Sequence, residues 1–175
     1  DRLDLAEYER ETAQGYERVN ERFAELGAPL IDAEDIVWVH DYHLIPLGER
    51  LRSRGLKNRI GFFLHIPWPA TRMFVSLPYH ERLVRTLLFY DVVGFQTQEW
   101  LESFLHYCEN ELRAEVDKAS GTVTFEGRTT IARAYPIGID WEHFSKLGEN
   151  GEARQAQQRL ISSTRRRIAM IGVDR

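Results

Sequence analysis

Residues Arg59–Leu64 constrain this chain more than any other stretch. Ile60-Gly61-Phe62-Phe63-Leu64 is apolar at every position. A strand with one wet face alternates polar and apolar residues. A strand that does not alternate must be covered on both faces, and helices packed on either side of a parallel sheet provide that cover. The next polar residue, His65, then falls at the carboxyl end of a buried strand.

The flanking sequence fits that layout. Residues 35–39 and 91–95 form two more short apolar runs with β-branched residues, read as strands. Residues 4–26 predict a long amphipathic helix with Tyr8, Thr12, Tyr16, Val19, Phe23 and Leu26 on one face, ended by Gly27-Ala28-Pro29. Residues 44–54 predict a helix that starts near Pro46 and closes on Gly55. Residues 79–89 and 97–113 predict two more, the second capped by Thr97. Ile66-Pro67-Trp68-Pro69 must be a loop. Residues 122–125 and 129–134 read as a hairpin turning at Glu126-Gly127-Arg128. Residues 141–147 and 152–162 read as helices, and residues 167–173 begin another buried strand. Strands alternating with helices predict an α/β fold with a Rossmann-like parallel sheet.

Composition excludes several classes. A formal net charge of −4 argues against a nucleic-acid surface. No apolar run approaches the roughly 18 residues of a membrane span. The charged start Asp1-Arg2-Leu3-Asp4 has no signal-peptide h-region behind it. A single cysteine, Cys108, permits no disulfide within the chain and fits a reducing, cytoplasmic setting. The lack of an initiator methionine reads as an excised or processed piece.

Ligands of parallel α/β sheets bind outside the carboxyl ends of the strands, so chemistry is sought there. His40-Asp41-Tyr42-His43 follows the first strand. Asp41 can accept hydrogen bonds from sugar hydroxyls or act as a base; its alternative is to cap the next helix. His65 follows the second strand, with Pro67 and Pro69 stiffening the loop behind it. Gln96-Thr97 follows the third. Trp68 can stack on a sugar or cover the core, the second being the commoner use. His43 reads as structural, and Cys108, inside an apolar stripe, as core. A metal site built on His40, His43, Asp41 and His65 is poorly supported, because a strand end does not turn both rings of an H-x-x-H pair the same way. No metal and no cofactor is expected. Arg175, just past the last strand, has the fork geometry to grip a diphosphate.

Together these stretches resemble the trehalose-6-phosphate synthase family. The matching residues are Val37-Trp38-Val39-His40-Asp41-Tyr42-His43-Leu44-Ile45-Pro46, the run from Arg59 through His65 to Pro69, and Asp91-Val92-Val93-Gly94-Phe95-Gln96-Thr97. Tyr135-Pro136-Ile137-Gly138-Ile139-Asp140 and Gly172-Val173-Asp174-Arg175 match as well. The resemblance implies a two-domain GT-B fold. Residues 1–140 would be the later part of the acceptor-side Rossmann-like domain. Residues 141–175 would be the crossover and first strand of the nucleotide-sugar domain, the rest of which lies outside the chain.

The implied reaction moves glucose from UDP-glucose to glucose 6-phosphate with retention, giving α,α-trehalose 6-phosphate and UDP. By resemblance, Asp41 matches the residue that holds the acceptor, and His65 the one beside the donor glucose and the forming bond. Gln96 matches a cleft residue, and Arg175 the arginine that meets the UDP diphosphate. The family often forms homo-oligomers. The chain alone, without most of the second domain, is expected to be inactive. Rival readings are a related glycosyltransferase with another acceptor, such as a glucosylglycerol-phosphate synthase or a pseudo-glycosyltransferase, a non-catalytic synthase-like module, and a metal-dependent hydrolase.

Overall fold

A computed structural model describes residues 9–164. Tyr8, the predicted strand at residues 167–173 and Arg175 lie outside the described residues. The chain divides into two compact units, one ending at Pro136 and the other starting at Ile137.

The first unit is a six-stranded sheet with helices. In chain order it holds α1 (Arg10–Gly27), β1 (Ile36–His40), α2 (Leu47–Ser53), β2 (Arg59–Leu64), α3 (Thr71–Phe74) and α4 (His80–Leu87). Then come β3 (Val92–Phe95), α5 (Gln98–Asn110), β4 (Glu115–Asp117), β5 (Thr122–Phe125) and β6 (Arg128–Ala134). The strand order is β1-β2-β3-β6-β5-β4. β1, β2, β3 and β6 run parallel. β5 and β4 add on antiparallel, so the sheet is mixed. β4 has no counterpart in the sequence reading: three residues with one apolar side chain carry too little pattern to be read as a strand. Likewise α3, a four-residue helix, lies in a stretch assigned no element.

The buried run behaves as its composition requires. Ile60, Phe62 and Leu64 are buried on one face of β2, and Gly61 on the other. Gly61 is needed there, because the indole of Trp38 on β1 occupies the space a Cβ would take. Trp68 covers the core rather than the cleft, packing on Phe74, Phe95 and Phe104. Cys108 is fully buried, and burial pushes its thiol well up from the ordinary value, as the core reading requires. Thr97 caps α5 by accepting from the Trp100 amide at 3.2 Å. The β5–β6 hairpin turns on Glu126 and Gly127, both at positive φ, the geometry of a tight two-residue hairpin.

Two expectations shift. The helix predicted from residue 44 is split: Tyr42–Leu44 form one 3₁₀ turn, and α2 begins at Leu47 behind Pro46. The face of α1 that meets the rest of the unit is centred on Asn20 and Ala24, both fully buried, whereas Val19, Phe23 and Leu26 stay 51, 53 and 55% exposed. The apolar stripe of this helix therefore misses its buried face by one residue position.

Tyr90, at the end of the α4–β3 connection, is wedged between the 42–44 turn and α2. Its ring lies where a Cβ on Gly48 would be, at 2.7 Å. The Tyr90 hydroxyl accepts from the Gly48 amide at 2.8 Å. The second unit holds α6 (Trp141–Glu149), capped by Asp140, and α7 (Gly151–Thr164). No residue of either helix is buried.

Candidate functional site

Parallel register brings the strand ends into line. His40 lies opposite Phe63, Leu64 opposite Phe95, and Phe95 opposite Ala134. The residues that follow, Asp41, His65, Gln96 and Tyr135, therefore share one carboxyl edge. The sequence reading had placed the first three there. It missed Tyr135, which is half exposed at the same edge and whose amide donates to Phe95 O at 2.7 Å.

Asp41 and His65 are joined directly. The Asp41 amide donates to Phe63 O at 2.8 Å, continuing the β1–β2 ladder by one residue. The Asp41 carboxylate then turns back. Its Oδ1 accepts from the Tyr42 amide at 3.0 Å and from the His65 amide at 3.3 Å. One carboxylate oxygen thus ties the first residue past β1 to the first residue past β2. Among the described residues Oδ2 has no hydrogen-bond partner.

The backbone at Asp41 is unusual, with φ 69° and ψ 166°. This region is open to glycine and costs other residues about 1–3 kcal/mol. Such a conformation persists only where the surroundings impose it. Asp41 also caps the 3₁₀ turn that follows, and the cap uses Oδ1 alone.

The histidines form a pair. His40 Nδ1 lies 2.9 Å from His65 Nε2, and the rings stack with centroids 5.2 Å apart. One ring donates and the other accepts, so the tautomer of one fixes the other. The edge of Trp38 abuts His40, and Phe63 packs against His65. Both imidazoles are exposed. His43 instead stacks on Tyr42, ring centroids 3.8 Å apart. Among the described residues no group of three His, Cys, Asp or Glu side chains could hold a metal ion. Nor is any described helix long and apolar enough to cross a membrane.

Beside the turn lies an open groove of about 1270 Å³, lined by Tyr16, Tyr42, Ile45, Tyr79, Arg82 and Leu83 among others. Of the arginines that line it, Arg82 is engaged, pairing with both carboxylate oxygens of Glu49.

An α/β sheet with polar groups gathered at the carboxyl ends of its parallel strands has them where ligands of such sheets bind. The chain belongs to glycosyltransferase family 20, whose sequence model matches residues 2–175. It is 44% identical to a trehalose-6-phosphate synthase of Sinorhizobium fredii, over 99% of this chain and 37% of that protein. An α,α-trehalose-phosphate synthase (UDP-forming) from Burkholderia xenovorans, solved in complex with glucose-6-phosphate, superimposes with a TM-score of 0.79 at 44% identity. That match covers 90% of this chain and 36% of that one. The E. coli protein bound with UDP-2-fluoro glucose superimposes at 0.81 and 38% identity, over 90% of this chain and 36% of that one. The chain thus spans somewhat over a third of the length of these relatives.

Proposed function

We propose that residues 1–175 form part of a retaining glycosyltransferase that moves glucose from UDP-glucose to glucose 6-phosphate, giving α,α-trehalose 6-phosphate and UDP. The observation that carries this reading is the joined pair at the sheet edge: Asp41, with one carboxylate oxygen held by two amides and the other without a hydrogen-bond partner among the described residues, next to His65. Family membership and relatives solved with glucose-6-phosphate and with a UDP-glucose analogue support it. In this reading residues 1–140 belong to the acceptor-side domain and residues 141–175 lead into the nucleotide-sugar domain. Phosphorylated sugars and UDP-glucose as substrates agree with a cytoplasmic enzyme.

The chemistry needs little beyond positioning and charge. The bond between the glucose anomeric carbon and the β-phosphate oxygen breaks, and a bond from the acceptor 1-hydroxyl forms on the same face. The acceptor's proton passes to the departing phosphate oxygen. Asp41 Oδ2 accepts from the acceptor's hydroxyls and fixes its approach, which is where most of the gain from orientation arises. His65, its tautomer set by His40, donates to or accepts from the donor sugar. Gln96 completes the edge, and Arg175 neutralises charge growing on the diphosphate.

The test is UDP release from UDP-glucose by the full-length protein, with and without glucose 6-phosphate. Release that depends on the acceptor and is lost in Asp41→Ala supports the reading. Release indifferent to glucose 6-phosphate would transfer the case to another acceptor, and no release to a non-catalytic module.

A further inference from the structure

Asp41 sits in a backbone conformation it would not choose, so something must hold it there. Asp41 itself is fixed upstream through its amide and through its carboxylate, and downstream by one bond alone, its carbonyl accepting from the Leu44 amide at 3.1 Å. The downstream side is the 3₁₀ turn Tyr42–Leu44, and its three successive carbonyls are each taken by a side chain from elsewhere. Tyr16 of α1 donates its hydroxyl to Tyr42 O at 2.5 Å. Asn20, one turn further along α1, donates from Nδ2 to His43 O at 3.0 Å. Tyr90 donates its hydroxyl to Leu44 O at 2.8 Å while accepting from the Gly48 amide.

We propose that Tyr16, Asn20 and Tyr90 are positioning residues that lock this turn and thereby hold Asp41 in its left-handed conformation, carboxylate toward the acceptor sugar. The inference rests on the reading of Asp41 as the acceptor holder. Asn20 makes the strongest case. It is fully buried in the middle of a helix, a place where asparagine has poor propensity and an apolar residue would pack as well. Its Nδ2 is shared between His43 O and Tyr16 O, and its Oδ1 has no partner among the described residues. Burying an unmatched acceptor destabilises, so what Asn20 contributes here is its donor rather than its packing. Burial pushes the phenols of Tyr16 and Tyr90 above their ordinary value, which keeps both hydroxyls protonated and able to donate.

None of the three side chains lies at the sheet edge. Each acts through the turn. With the carbonyls released, the turn can rotate toward the ordinary helical or extended regions, and the Asp41 carboxylate swings off the His65 amide with it.

The full-length protein carrying Asn20→Leu separates positioning from stability. Leucine keeps the branched outline and the number of heavy atoms and removes both the donor and the orphaned acceptor. The melting temperature should therefore stay the same or rise, while KM for glucose 6-phosphate rises about tenfold and KM for UDP-glucose stays within about twofold. Tyr16→Phe, which deletes one hydroxyl, should shift the same constant in the same direction. Crystal structures of both variants should show residue 41 out of its left-handed conformation. If residue 41 keeps that conformation in both, with the acceptor KM unchanged, the inference is wrong. A fall in melting temperature without any split between the two KM values would also overturn it, as a purely structural role. If the wild-type protein releases no UDP in response to glucose 6-phosphate, the proposed function fails instead. The lock is then judged on the backbone at residue 41 alone.

Discussion

The two ends of the parallel strands make an instructive pair. At the amino end, polar groups satisfy one another. Arg52 donates to the carbonyls of Phe89, Leu56 and Asn58 and to the Asp91 carboxylate. Asp91 in turn accepts from the Ile60 amide at 2.7 Å, and Asn58 donates to Asp32 O and Asp35 O. At the carboxyl end, Asp41 is strained, one of its oxygens is uncommitted among the described residues, and its histidine neighbours are exposed. Both clusters hold an aspartate that bonds a backbone amide of β2 or the residue just past it. One closes the fold; the other keeps an uncommitted carboxylate oxygen beside exposed imidazoles. Substitutions should accordingly cost stability at one end and turnover at the other.

The largest effect is expected from Arg52→Leu. It deprives three carbonyls of the donor they share, around a side chain only 14% exposed, and frees the half-exposed Asp91 carboxylate; it should destabilise the protein by about 3 kcal/mol, read from the denaturation midpoint. Acceptor kinetics should change little in the protein that remains folded. Next is Asp41→Ala, which should reduce acceptor-dependent turnover by about 100-fold, the scale of a lost charged hydrogen bond to substrate, with much less effect on stability. If Asp41→Ala instead destabilised as much as Arg52→Leu, the contrast between the two ends would collapse.

Asp41→Gly sharpens the comparison. Glycine accepts φ 69° without strain, so this variant should be more stable than Asp41→Ala by about 1–2 kcal/mol, while turnover stays as low in both. Equal stabilities would mean that the backbone at residue 41 relaxes freely. The smallest effect belongs to Asp117, a carboxylate satisfied locally in the turn after β4. The Ser120 hydroxyl, then the Ser120 and Ala119 amides, hold its carboxyl below the ordinary value. A value lowered in the folded state contributes stability above the unfolded value and loses it as pH falls through the folded one. Asp117→Asn should thus speed exchange of the Ala119 and Ser120 amides near neutral pH. The difference should fade in acid, and turnover should be untouched.

What the sequence disclosed follows from what leaves a pattern. β1, β2 and β3 are apolar runs bounded by polar ends, and the rule that ligands meet strand carboxyl ends sufficed to set Asp41, His65 and Gln96 at one edge. Thr97 and Gly127 announce a cap and a turn by residue type alone. β4 left no trace, because Glu115-Val116-Asp117 is held by its antiparallel partner rather than by burial. The buried face of α1 departs from its apolar stripe because Asn20, a polar residue outside that stripe, is drawn inside by a backbone carbonyl from another segment. The strain at Asp41 is equally silent: an aspartate does not declare a glycine-like φ, and the bond from its carboxylate to the His65 amide depends on a register that exists only after pairing.

The contact between Tyr90 and Gly48 reaches beyond stability. Since the ring fills the place of a Cβ at position 48, neither residue can drift alone during descent. A side chain gained at 48 would require a smaller one at 90. That exchange would remove the hydroxyl linking the Leu44 carbonyl to the Gly48 amide. The two positions, 42 residues apart in the chain, should therefore be inherited as a unit. Lineages that lost the pair should have had to find another way of fastening the turn behind Asp41.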